Sequence, residues 1–166
     1  MYTNILVALD GSETSQQALE TALRVACISG ALLHPVYVVD MPSIAFGTPG
    51  FNPAPVREAL RNDGERVIAV ASDRMTAMRV DGTPRVIDTV SPAEGIAQRI
   101  QHAAHECHAD LIVMGTHGRR GFQRLVLGSV AEQVVRGATC PVLLVPLRSQ
   151  RSSGETNSDP AEKELR

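Results

Sequence analysis

Short apolar runs alternate along this chain with longer segments of helical period, and that alternation restricts the fold more than any other feature. Ile5-Leu6-Val7-Ala8-Leu9 is apolar without a break and rich in branched side chains, as a strand buried on both faces must be. Asp10-Gly11-Ser12 then carries a turn and a helix start, with Ser12 as the capping residue or Ser15 as the alternative. Ala18, Leu19, Ala22, Leu23, Val25 and Ala26 recur at helical spacing, and Gly30 lies just past the last of them. Leu32 to Val39 is a second apolar run, in which Pro35 places the start of the strand proper near Val36.

The alternation continues to the end of the apolar sequence. A Pro/Gly-rich loop is expected over 41–55, and loops of that length in a small domain are functional or mobile. An amphipathic helix follows from Val56 to about Met75, through Leu60, Val67, Ile68 and Ala71, and a third strand from Arg85 to Val90. Ser91-Pro92, with Glu94 close behind, has the composition of a helix start, and that helix should run to about Cys107. Asp110 to Met114 reads as a fourth strand, Ser129 to Arg136 as a helix and Pro141 to Val145 as a fifth strand. This order predicts an α/β fold, an open parallel sheet with helices on both faces. Residues 1–148 form a single domain on this reading, and the polar stretch 149–166 is expected to be a disordered tail.

Composition removes several classes of function. A net charge of −2 gives no broad footprint for nucleic acid or an anionic membrane surface. Aromatic residues are 3% of the chain and Trp is absent, so base-stacking platforms are not expected. No apolar run approaches the length of a membrane span. Cys27, Cys107 and Cys140 are odd in number and far apart, as small core residues in a reducing compartment would be. With no signal-peptide pattern at the start, the expected location is cytoplasmic. The only lysine is Lys163, so neither a Walker A lysine nor a core Schiff-base lysine is available.

The stretch 115–129, "GTHGRRGFQRLVLGS", then stands out between a buried strand and a helix. In open parallel sheets, ligands bind beyond the carboxyl ends of the strands where the winding reverses. If the strands ending at Asp10 and Gly115 are neighbours there, both loops face one crevice. The helix starting at Gly128-Ser129 would aim free N–H groups into it, and glycines would let backbone approach a phosphate. Ser129 can add a hydroxyl donor, and Asp10 suits a ribose hydroxyl or a metal on the phosphates.

Those residues resemble the universal stress proteins. "MGTHGRRGFQRLVLGSVAEQVVRGATCPVLLVP" carries the pattern Gly, two residues, Gly, nine residues, Gly, then Ser or Thr, as Gly115, Gly118, Gly128 and Ser129. "ILVALDGSETSQQAL" and "SPAEGIAQRI…ADLIVMGTHG" are similar to the same family, and the likeness covers nearly all of residues 1–147. The glycine spacing is that of the family's ATP-binding branch. The resemblance implies an open five-stranded Rossmann-like sheet of order 3-2-1-4-5. It places Ala8 and Asp10 at the end of the first strand and Val38 against adenine. It lines the nucleotide with Met114, Gly115, His117 and Gly118, and the phosphates with Gly128, Ser129 and Val130. Some members have a hydroxyl residue where this chain has Ala131. The implied ligand is ATP, with Mg²⁺ as a companion, and the implied partner is a second copy of the chain, joined through the last strand.

Plainer readings stand beside these. Asp10 can be a cap alone, His117 an exposed loop residue, and Arg119, Arg120 and Arg124 a solvated surface. His102, His105 and His108 share a short stretch with Cys107, but zinc needs four ligands aimed at one point, and His108 falls where a helix should end. The favoured function is a nucleotide-binding regulatory module of stress response with little or no turnover. The alternatives are a slow ATPase or nucleotidyl-transfer enzyme at the same site, and a dimerisation scaffold without a ligand.

Overall fold

The computed structural model describes residues 1–40, 50–91, 93–118 and 127–147. Its elements are β1 (Asn4–Leu9), α1 (Glu13–Ser29), β2 (Leu32–Val39), α2 (Ala54–Met78), β3 (Arg85–Asp88), α3 (Ile96–Glu106), β4 (Leu111–Gly115), α4 (Ser129–Gly137) and β5 (Val142–Val145). The strands form one sheet in the order β3-β2-β1-β4-β5, and every neighbouring pair is parallel. Sheet, order and layering agree with the expectation from the sequence.

Strand period divides the core in two. Ile5, Val7 and Leu9 of β1 pack with Leu19 and Leu23 of α1 and Ala71 and Met75 of α2. Leu6 points the other way and packs with Ile100 of α3 and Val134 of α4. The unbroken apolar run of β1 is therefore a consequence of its central place, with a helix pair on each side. On the first face, α2 approaches closely through Gly64, where a Cβ would come within 2.6 Å of the Tyr37 ring. A larger side chain there would lever the helix off the sheet.

Several boundaries differ from the sequence reading, each for a local reason. β2 begins at Leu32 and includes Pro35, although it is an inner strand. Leu33 turns its backbone groups toward Asp81 and Thr83, so Pro35, two residues on, faces that same side. Proline thus removes a rung only on the β3 side, where pairing starts one residue later at Val36↔Arg85, and the β1 ladder continues past it. β3 stops at Asp88, short of Val90, and α2 extends from Ala54 to Met78. α3 starts at Ile96, well after Ser91. Glu94 accepts hydrogen bonds from the Val90 N–H and from His102, which makes a turn of this stretch, and Gly95 is the capping residue. The Gln98 side chain returns to the Gly95 N–H at 3.2 Å, which supplies half of a capping box.

Cys27 is exposed, contrary to the core role expected of it. It follows the buried Ala26 on α1, and one residue turns a helix by about 100°, carrying the side chain off the core face. Cys107 and Cys140 are half-buried against the α3/α4 layer, and burial pushes both thiols up. His108 does lie just past the end of α3, in the left-handed region at φ 50°. Residues 41–49 of the expected loop, Pro92, Arg119, Arg120, Arg124 and the tail from Ser149 lie outside the described residues.

Asp110 fixes the amino ends of β1 and β4 to each other. Its carboxylate accepts from the Thr3 N–H and hydroxyl, both at 2.8 Å, and from the Asn4 N–H at 3.2 Å. Burial works to raise its pKa, but these bonds outweigh it and hold the carboxyl below its ordinary value. A depressed carboxyl contributes stability above the unfolded-state value of about 4, and that contribution is lost as pH falls through the folded-state value. Asp110→Asn should therefore cost about 1 kcal/mol at neutral pH. The gap between variant and wild type should close on acidification below pH ~4, as measured by denaturant titration across pH. A gap that widened there would show that the bonds do not favour the charged form.

Candidate functional site

The carboxyl ends of β1 and β4 lie side by side, through Ala8↔Met114, at the point where the chain changes from one side of β1 to the other. Beyond them two turns meet. On the β1 side, Asp10 Oδ1 accepts from the Ser12 N–H at 2.9 Å and the Ser12 hydroxyl at 2.5 Å. This short-range bonding of an aspartate to the residue two ahead shapes the turn. Ser12 in turn caps α1, accepting from the Ser15 N–H at 3.2 Å. One serine therefore joins the carboxylate to the helix start.

On the β4 side, the chain leaves the sheet through Gly115, Thr116, His117 and Gly118 and returns at Leu127. The Gly128 N–H donates to the Thr116 carbonyl at 2.8 Å, which draws the start of α4 back against the end of β4. Gly128 caps α4 without a side chain, so the helix start receives no hydrogen bond from its capping residue's side chain. An N-terminus of this kind presents free N–H groups and the positive end of the helix dipole.

The three motif glycines each answer a close approach of the protein to itself. A Cβ on Gly115 would lie 2.9 Å from the Thr14 Cβ. On Gly118 it would lie 2.8 Å from Asp10 Oδ2, and on Gly128 it would lie 3.1 Å from the Thr116 carbonyl oxygen. Glycine at 118 is thus what lets the Asp10 carboxylate and the β4 loop share one corner. The expectation that these glycines spare room for a ligand gains a second cause, contact within the chain.

Ala8, Val38 and Met114 lie on the same face of the sheet near its carboxyl edge, packed with the α3/α4 layer. Val130 packs into that layer as well, and so does the buried Ala131. Ala131 therefore points its side chain into the core. The structure brings Ala8, Asp10, Met114, Gly115, His117 and Gly118 together at the β1/β4 junction, with Gly128, Ser129 and Val130 tied to it through Thr116. Val38 stands one strand away, on β2. His117 is half-buried, with Nδ1 2.9 Å from the Thr116 hydroxyl. Its Nε2 is buried without a hydrogen-bond partner among the described residues.

Sequence reasoning missed Thr14. Its hydroxyl donates to the His117 carbonyl at 2.5 Å, which ties α1 to the β4 loop. It also missed Arg99, which is buried on α3, donates to the Asp88 carbonyl at 3.1 Å and pairs with Glu106 at 2.9 Å. Bonding to Arg99 holds the Glu106 carboxyl below its ordinary value. Of the histidines near Cys107, His102 is bound to Glu94 at 2.7 Å, and among the described residues no His/Cys/Asp/Glu group is arranged to hold a metal. A separate surface groove runs between α1 and α2, lined by Leu9, Leu19, Arg66, Val67 and Val70. It lies on the face of the sheet opposite Ala8 and Met114. No described helix is long and apolar enough to cross a membrane.

Comparison with known proteins finds the same fold and a family. Among solved structures, a universal stress protein family member from Burkholderia pseudomallei is 46% identical, with a TM-score of 0.74, over 88% of this chain and 97% of that one. A universal stress protein from Archaeoglobus fulgidus in complex with dAMP is 21% identical, with a TM-score of 0.63, over 87% of this chain and 98% of that one, a likeness of fold. A universal stress protein of Methanocaldococcus jannaschii is 33% identical over 146 residues, 87% of this chain and 82% of its own length. The family model of the universal stress proteins matches residues 1–146, and the chain belongs to that family.

Proposed function

We propose that this chain binds ATP, accompanied by Mg²⁺, at the β1/β4 junction and acts as a regulatory module of stress response with little or no turnover. The observation that carries the reading is the meeting of three parts in one corner. These are the Asp10 turn, the loop from Gly115 to Gly118, and the start of α4, whose cap has no side chain. The dAMP-bound relative supports an adenine nucleotide as the ligand class.

In this assignment Val38 contacts the adenine, Ala8 lies at the end of β1, Met114 lines the nucleotide, and Asp10 takes a ribose hydroxyl or the metal. Gly115, His117 and Gly118 line the nucleotide, while the amides of Gly128, Ser129 and Val130 and the Ser129 hydroxyl hold phosphate oxygens. Backbone amides supply what a lysine supplies elsewhere, in keeping with a chain whose one lysine is Lys163. The setting is cytoplasmic in this reading, with neither nucleic acid nor membrane as a partner.

ATP at a hundred times Kd should stabilise the protein by about 2.7 kcal/mol. That corresponds to a rise in Tm of roughly 5–10 °C for a chain of this length. Gly118→Ala should weaken binding at least about tenfold, since its methyl would displace the Asp10 carboxylate. Ser129→Ala should cost about 1–2 kcal/mol of binding. Calorimetry on nucleotide-free protein measures all three, and wild type giving neither heat nor thermal shift with millimolar ATP–Mg²⁺ would defeat the reading. Phosphate release well above about one per minute would favour the enzyme alternative, since typical turnover is about ten per second.

The second copy of the chain is assigned to β5. It is an edge strand with Leu143 36% exposed, and a bare apolar edge invites pairing. Light scattering at micromolar concentration should give twice the 17.8 kDa chain mass. Leu143→Arg should shift the particle toward monomer with the fold intact by circular dichroism, and a wild-type monomer at that concentration would refute the pairing.

A further inference from the structure

Two linked hydroxyls at the start of α1 connect Asp10 to the β4 loop. Thr14 is only 6% exposed, and its bond to the His117 carbonyl joins positions 103 residues apart. Its side chain fills the space that Gly115 leaves open, with Oγ1 3.1 Å from where a Cβ would stand. The same Oγ1 lies 3.0 Å from the Ser12 hydroxyl, which itself donates to Asp10 Oδ1 at 2.5 Å. An unbroken line of oxygens therefore runs from the Asp10 carboxylate through Ser12 and Thr14 to the loop backbone at His117.

A count of protons gives that line a property. Each hydroxyl has one proton, and a carboxylate and a carbonyl have none. Asp10–Ser12, Ser12–Thr14 and Thr14–His117 are three contacts, and two protons are available to serve them. With the Ser12 proton on Asp10 and the Thr14 proton on His117, the middle contact carries no proton. Asp10 Oδ1 already accepts two hydrogen bonds from Ser12, so a ligand hydroxyl donating to it as a third would compete with the Ser12 hydroxyl, whose proton can turn toward Thr14 instead. Thr14 would then accept a hydrogen bond while donating one, and a hydroxyl that accepts is a stronger donor. The Thr14–His117 bond would tighten when Asp10 is occupied.

We propose that Thr14 is a positioning residue of the nucleotide site: its hydroxyl holds the His117–Gly118 turn against Asp10 and, through Ser12, transmits to that turn whether a ligand hydroxyl occupies Asp10. The inference rests on the nucleotide-binding reading above. It goes beyond that reading by naming a residue that touches no ligand and a preference that residue creates.

The test compares Thr14→Val, which keeps the shape and removes the hydroxyl, with Thr14→Ser, which keeps the hydroxyl. In nucleotide-free protein, amide exchange measured by NMR should rise about tenfold at Thr116 and Gly128, whose N–H groups are hydrogen-bonded, in Thr14→Val. Exchange within the body of α1 should stay as in wild type, and Thr14→Ser should match wild type throughout. Calorimetry then compares ATP with 2′,3′-dideoxy-ATP, which lacks the ribose hydroxyls. Thr14→Val should lose about tenfold in ATP affinity, equal to about 1.4 kcal/mol, and about twofold or less for the dideoxy compound. Thr14→Ser should restore the wild-type difference between the two ligands. Equal losses for both ligands, or no rescue by serine, would overturn the relay and leave Thr14 as packing. If wild type binds neither compound, the nucleotide reading fails and the relay with it. Unchanged exchange at both Thr116 and Gly128 in Thr14→Val would separately refute the hold on the loop.

Discussion

The parallel pairing of β1 with β4 is the constraint on which the rest of the structure depends. β1, α1, β2, α2 and β3 wind outward on one side, and the chain then crosses back to lay β4 along the other side of β1. Right-handed crossovers place α1 and α2 on one face and α3 and α4 on the other. The loops leaving β1 and β4 consequently lead to helices on opposite faces, at the place where open parallel sheets bind their ligands. Asp110 secures the same strand pair at its amino end, through the backbone of Thr3 and Asn4. The strand register Ile5↔Leu111 through Ala8↔Met114 then carries that alignment to the carboxyl end, where Asp10 and Gly115 emerge.

At that end the chain packs against itself before any ligand is considered. Gly115 rests on Thr14, Gly118 on Asp10 and Gly128 on the Thr116 carbonyl. A glycine pattern that looks like room for phosphate is also a pattern of tight contact between two turns. The two roles support each other, because a loop already held by its neighbours loses less freedom when it closes on a ligand. The Ser12 hydroxyl is shared in the same way, serving as helix cap to Ser15 and as donor to Asp10.

The sheet was legible in the sequence because burial on both faces forces a run such as Ile5–Leu9 to be apolar throughout, with no polar alternation to confuse the period. The start of α3 was misread because Ser91 and Glu94 have the composition of a cap, while Glu94 is committed to Val90 and His102 instead. Local composition cannot rank such competing partners for one carboxylate. Pro35 misled for a related reason, since its cost depends on which neighbour its missing N–H would have faced. Thr14 was invisible because its acceptor is a backbone carbonyl far along the chain, and a backbone group leaves no mark in the residue types. The exposure of Cys27, by contrast, was within reach of helical spacing, since Ala22 and Ala26 already define the buried face.

A site composed of backbone amides and one carboxylate has a bias in what it can do. Donors that bound the ground state and the transition state of a phosphate equally would lower Kd without raising kcat, the uniform binding expected of a module with little turnover. Regulation needs something different, a contact that is worth more in one state of the protein than in another. Thr14 would offer such a contact, because its hydroxyl accepts from Ser12 only when the Ser12 proton turns away from Asp10. Helix α1, which carries Thr14, packs along β1 and β4 through Ala18, Leu19, Ala22 and Leu23. A change in the loop at His117 is thereby joined, by one hydroxyl, to a helix that spans the length of the central strand pair. A nucleotide held at this corner, as proposed, would thus have a mechanical connection to the body of the fold, as sensing requires.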